Sequence, residues 1–127
     1  MTTPPQRPVL DVAHIHPDIR AYVAGNRQDI VREVQAAIAA HPVVVVGMGI
    51  NPMPKKARRV LDAAGIAHHY LEYGNYLGDW RRRNALKMWT GWPTFPMVFV
   101  RGVLVGGAND TEKLIASGEL QRMLKAA

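Results

Sequence analysis

The feature that most limits what this chain can fold into is the run Val43-Val44-Val45-Val46, which leads through a short glycine-containing loop to Asn51-Pro52. Four β-branched residues without polar alternation predict a central strand buried on both faces. Asn is a good N-cap, and Pro suits the first helical position, so a helix is predicted to start there. Ala57, Val60, Leu61 and Ala64 share one face of that helix, which ends near Gly65. A strand feeding a helix in this way is the first half of a βαβ unit.

The same reading extends in both directions. His16-Pro17-Asp18 starts a short helix that Gly25 ends. Ile30, Val34, Ala37 and Ile38 mark one face of a helix over residues 29–40, stopped by His41-Pro42. A second strand is predicted over 67–71, a loop over 74–78, and a helix capped by Asp79 that runs to about Trp89. Met97 to Val100 and Val103 to Val105 form a hairpin about Arg101-Gly102. Asn109 or Asp110 is expected to cap a helix through Ile115, and a last helix spans about 119–125. From residue 29 the order is α, β, α, β, α, β, β, α, α, which predicts an α/β fold with a small mixed sheet flanked by helices.

Composition narrows the chemistry. The 127 residues fit one domain, and 48% hydrophobic content is too high for a disordered chain. With no cysteine there is no disulfide, thiolate metal ligand or cysteine nucleophile. No signal peptide or membrane-spanning run is visible, so a soluble cytoplasmic protein is the expectation. Sixteen Lys and Arg against ten acidic residues give +6, a balance that favours anionic partners. The charge lies in two groups, Lys55, Lys56, Arg58, Arg59 and Arg81, Arg82, Arg83, Lys87, which read either as solvated helix faces or as a shared anion site. His14, His16, His68 and His69 lack a partner at ligand spacing, so metal binding is not expected. Trp89 is expected in the core, Trp92 and Phe95 in a groove, and Tyr70, Tyr73 and Tyr76 in ordinary strand and loop packing.

Three stretches together resemble the glutaredoxin family, and most of all its monothiol branch. They are the valine strand with Asn51-Pro52-Met53-Pro54-Lys55-Lys56-Ala57; Trp92-Pro93-Thr94-Phe95-Pro96 with Val98-Phe99-Val100; and Gly102-Val103-Leu104-Val105-Gly106-Gly107 with Ser117-Gly118-Glu119-Leu120. The resemblance covers about residues 29–125. It implies a thioredoxin-like glutaredoxin fold with a four-stranded mixed sheet, preceded by an extra N-terminal helical segment over 1–28.

The resemblance also implies a glutathione groove. In it Arg83 matches the residue that holds the glycine carboxylate, Thr94, Phe95 and cis-Pro96 match the loop that pairs with the cysteinyl unit, and Gly107, Ala108 and Asn109 match the turn that holds the γ-glutamyl end. A guanidinium suits a carboxylate, and a helix start offers free N–H groups to an anion. The departures define the function. Asn51 and Pro54 stand at the family's two cysteine positions, Met48 at the position of its lysine, and Asn109 at that of its aspartate. Disulfide exchange needs a thiolate, so conventional oxidoreductase chemistry by the chain's own side chains is excluded. So is its half of a cysteine-held [2Fe–2S] cluster. Pro52 and Pro54 also remove two donors from the first helical turn, and Asn51 can cap a third.

The reading that follows is a non-catalytic adaptor binding glutathione or a protein partner, linked to thiol redox or iron–sulfur pathways. Two alternatives stay open: an enzyme in which bound glutathione supplies the thiol, and a basic structural module. No recognised nucleic-acid motif supports the last as a nucleic-acid binder.

Overall fold

The computed structural model describes residues 4–74 and 78–125; the expectation for Tyr76 falls outside them. The elements are α1 (Pro17–Gly25), α2 (Gln28–Ala40), β1 (Val43–Gly47), α3 (Pro52–Ala63), β2 (His69–Glu72), α4 (Trp80–Thr90), β3 (Met97–Val100), β4 (Val103–Gly106), α5 (Ala108–Ala116) and α6 (Glu119–Lys125), with a single 3-10 turn over Val12–His14. The sheet order is β2-β1-β3-β4. β1 runs parallel to β2 and antiparallel to β3, and β3 and β4 form the hairpin. This is the four-stranded mixed sheet flanked by helices that the resemblance implies.

The valine run is central and fully buried. Its side chains alternate between the two faces, as the pleat requires. Val44 and Val46, with Met97 and Phe99, meet Ile30 and Val34 of α2 and Leu86 of α4. Val43 and Val45, with Val98 and Val100, meet Ala57 and Leu61 of α3, Ala108 of α5 and Leu120 of α6. Each fully buried valine contributes roughly 1.5–3 kcal/mol of transfer free energy. Apolar residues on both faces are therefore what allow helices to cover both sides of so small a sheet.

Helix starts show where local chemistry was read correctly and where tertiary contacts overrode it. His16 Nδ1 accepts from the Asp18 N–H at 3.1 Å, and Asn51 Oδ1 accepts from the Met53 N–H at 3.0 Å. Asp79 stands at the N-cap of α4 but makes no cap hydrogen bond; its carboxylate meets Arg82 at 3.4 Å instead. For α5 the cap is Gly107 rather than Asn109 or Asp110, both of which lie inside the first turn. There Asp110 reaches back to accept from the Gly107 N–H at 2.9 Å. Trp89 lies at the rim, 37% exposed and stacked on Phe99 at 6.1 Å, rather than in the core. The reason is its place beside β4, the edge strand, where the sheet face runs out.

Two contacts give measurable consequences. Gly47 ends β1 where Pro54 and Tyr70 close in: a Cβ there would sit 2.7 Å from Pro54 Cβ and 2.9 Å from the Tyr70 hydroxyl. Gly47→Ala is expected to cost about 1–3 kcal/mol, read as a lower urea midpoint with unchanged m-value. Tyr70 donates to Glu72 Oε1 at 3.0 Å. Burial, then Glu72, pushes its phenol up to about 12, against the opposing Arg58, whose guanidinium lies over the ring at 4.2 Å. Burial and Glu33 raise Tyr73 in the same direction. Both phenols stay protonated in the fold at pH values where an unfolded tyrosine ionises, near 10. The Tyr70 contribution is complete below that pH and is lost as pH rises from about 10 to about 12, and that of Tyr73 is lost at higher pH still. The melting temperature should fall across that window, and Tyr70→Phe should flatten the fall.

Candidate functional site

A cleft of about 570 Å³ opens where three chain segments meet. The loop after β1 and the start of α3 contribute Met48, Asn51 and Met53. The segment before β3 contributes Trp92, Pro93, Thr94, Phe95 and Pro96, and the Phe95–Pro96 peptide bond is cis. The turn from β4 into α5 contributes Gly107, Ala108, Asn109 and Asp110. Lys87 of α4 completes the wall, its Nζ 5.8 Å from the centre of the Phe95 ring.

The cleft's electrostatics come largely from main-chain donors. The first-turn N–H groups of Ala108, Asn109 and Asp110 have no carbonyl of their own helix to meet, and Gly107 supplies no side-chain cap. The Gly106–Gly107 turn is held from within. Gly106 has φ 113, where a Cβ would lie 2.5 Å from Asp110 Oδ2. The Thr111 hydroxyl donates to the Gly107 carbonyl at 2.8 Å. Trp92 Nε1 is buried without a hydrogen-bond partner. An unpaired buried N–H is costly. Thr94 is the only side-chain hydroxyl among the residues lining the cleft.

The start of α3, by contrast, is closed to anions. Pro52 and Pro54 have no N–H, and the Met53 N–H is taken by Asn51. Ile50, just before it, has φ 67, a left-handed conformation that costs a β-branched residue about 1–2 kcal/mol. Pro54 is buried and turned toward Gly47 rather than toward the cleft.

Most of the residues singled out from the sequence come together here: Met48, Asn51, Thr94, Phe95, Pro96, Gly107, Ala108 and Asn109. Asn109 is drawn outward, where its Oδ1 accepts from Lys56 Nζ at 2.7 Å. Arg83 is not in the cleft. It is 6% exposed, and its Nη1 donates to the carbonyls of Tyr73 and Gly78. The guanidinium therefore ties down both ends of the connection between β2 and α4. Lys87, one turn further along the same helical face, holds the position by the cleft. The sequence placed both in one basic cluster. Their i, i+4 spacing shows a shared face but not which turn reaches the cleft mouth. Asp110, expected from the sequence only as a helix cap, also lines the cleft. Among the described residues no three His, Asp or Glu side chains come close enough to hold a metal ion.

Comparison with known proteins agrees with this geometry. The sequence model of the Glutaredoxin family matches residues 52–105. The chain is 43% identical over 108 residues to a glutaredoxin-like protein of Dictyostelium discoideum, covering 85% of this chain and 88% of that protein. It is 35% identical over 97 residues to a probable monothiol glutaredoxin 2 of Rickettsia prowazekii, covering 72% and 88%. The crystal structure of oxidized glutaredoxin 2 from Chlamydomonas reinhardtii superposes with a TM-score of 0.66 at 29% identity, covering 78% of this chain and 94% of that one. A thioredoxin-like sheet carrying a cis-proline cleft beside a helix start defines the class, and within it this chain belongs to the glutaredoxin family. It does so without a cysteine.

Replacing Arg83 removes a buried charged donor from two carbonyls. Arg83→Met is expected to lower stability by about 2–4 kcal/mol, measured by urea unfolding.

Proposed function

We propose that this chain is a glutaredoxin that binds glutathione, or a glutathionyl group on a partner, without performing thiol exchange itself, and serves as an adaptor linked to thiol redox or iron–sulfur pathways. The observation that supports this best is the contrast within one cleft. Donors suited to an anionic peptide line it on two sides, at the start of α5 and at Lys87, while the place of the nucleophile holds an Asn whose side chain is spent on its own helix.

The residues present fit the tripeptide. Lys87, rather than Arg83, meets the glycine carboxylate, because its ammonium is at the wall and has no ion-pair partner among the described residues. The main chain around Thr94, Phe95 and Pro96 pairs with the cysteinyl unit. The N–H groups of Ala108 and Asn109 take the γ-glutamyl carboxylate at the start of α5, and Asp110 lies beside its ammonium. Glutathione supplies the only thiol at the site. Met48 and Met53 surround it with polarizable apolar surface, and neither lowers a thiol pKa, so the bound sulfur is held rather than activated.

Calorimetric titration with reduced glutathione tests this. Saturable binding by the native chain is expected, with Lys87→Ala weakening it about tenfold, equivalent to about 1.4 kcal/mol. Lys125→Ala, at the far end of the chain, should leave binding unchanged. An absence of heat at millimolar glutathione would sink the proposal.

A further inference from the structure

A second concave surface lies on the other side of Lys87, between α1 and α4. This hollow, of about 670 Å³, is lined by Tyr22, Arg27, Trp80, Arg81, Lys87 and Met88 among others. Its apolar groups are large and open to solvent: Tyr22 is 70%, Trp80 53% and Met88 62% exposed. α1 itself buries no residue. Yet it is capped at its start by His16 and closed at its end by the Asn26 N–H on the Tyr22 carbonyl at 2.9 Å. Ile19, Tyr22 and Val23 form a stripe at helical spacing along it, all exposed. An ordered helix whose apolar stripe meets no core is placed for something outside the chain.

The charges state what that something is. Arg27, Arg81 and Lys87 line the hollow, and none has an ion-pair partner among the described residues. No carboxylate lines it. Asp79, at its edge, is held by Arg82. Arg81 lies over the Trp80 ring at 5.1 Å, which keeps the indole standing beside a cation. Tyr, Trp, Met and Arg are the side chains most enriched at protein interfaces.

We infer that the α1–α4 hollow docks an acidic amphipathic helix of a partner protein, its aliphatic side chains seated on Tyr22, Trp80 and Met88 and its carboxylates on Arg27, Arg81 and Lys87. A second copy of this chain is disfavoured because three unpaired cations would face three more on a molecule of net charge +6. A nucleic acid would use the cations and aromatic rings but leave the exposed Met88 thioether without an apolar partner. A lipid surface fits a convex or flat apolar face, whereas this one is concave.

The test uses the full chain and a fluorescently labelled amphipathic helical peptide with Leu on one face and Glu on the other, followed by anisotropy. Saturable binding is expected, weakening as sodium chloride is raised from about 50 to about 300 mM. Trp80→Ala and Arg81→Glu should each weaken it about tenfold or more. Both side chains are exposed, so circular dichroism melts should be unaltered; Tyr22→Ser, on the opposite wall, gives a second variant with the same expected loss. Glutathione titration of Trp80→Ala should match that of the native chain, which separates this surface from the cleft. The inference is overturned if the native chain does not bind the peptide, or if the variants bind as well as the native chain. It is equally overturned if a peptide with Lys in place of Glu, a single-stranded oligonucleotide or phosphatidylserine vesicles bind more tightly, or if sedimentation shows a dimer that Trp80→Ala dissolves.

Discussion

The structure hangs on the two-sided burial of β1. Pairing β2 on one edge and β3 on the other uses the strand's backbone groups on both sides, so it must sit in the middle. A middle strand can exclude water only if neither face is polar. Val43 to Val46 meet that condition, and the two helical layers follow from it: α2 and α4 cover one face, α3, α5 and α6 the other. The cleft lies past the end of this strand, where Gly47 releases the chain into the loop that reaches Asn51. Its walls are therefore held by the best-packed part of the molecule, although the lining residues themselves are loop residues and helix starts.

The architecture was readable because its signals are local and repeated. Valine runs, helical apolar spacing and the Arg101-Gly102 turn each say one thing, and they agree. What was not readable depended on choices between neighbours. Asp79 can cap a helix, but Arg82 stands one turn away and takes its carboxylate. Asp110 can cap a helix from the N-cap position, but from inside the first turn it binds the Gly107 N–H instead. Arg83 and Lys87 share a helical face, and the position of the Tyr73 and Gly78 carbonyls decides that the first is buried against them while the second reaches the cleft. Trp89 looked like core by size alone; an edge strand gave it nothing to be buried under. The hollow beside α1 was invisible for a different reason. Sequence periodicity marks an apolar stripe but does not reveal whether the fold covers it.

The cleft and the hollow share Lys87 as a common wall. A carboxylate on either side draws on the same ammonium, so occupation of one surface changes the field at the other. Such coupling is a free energy between sites and acts equally in both directions. In a chain without a cysteine, the proposed ligand and the proposed partner would thus be linked through binding alone.

The packing of Pro54 against Gly47 bears on how readily this scaffold could be given a reactive thiol. A cysteine placed at position 51 would inherit a helix start with two imino positions and no spare first-turn donors, so its sulfur would gain little of the acidity that a helix end normally confers. Changing Pro54 to free a donor would open space beside the sheet, because that ring fills the gap that a glycine leaves at the end of β1. Introducing a reactive thiol is thus a concerted change of several positions, in which the single step that adds the sulfur confers little by itself.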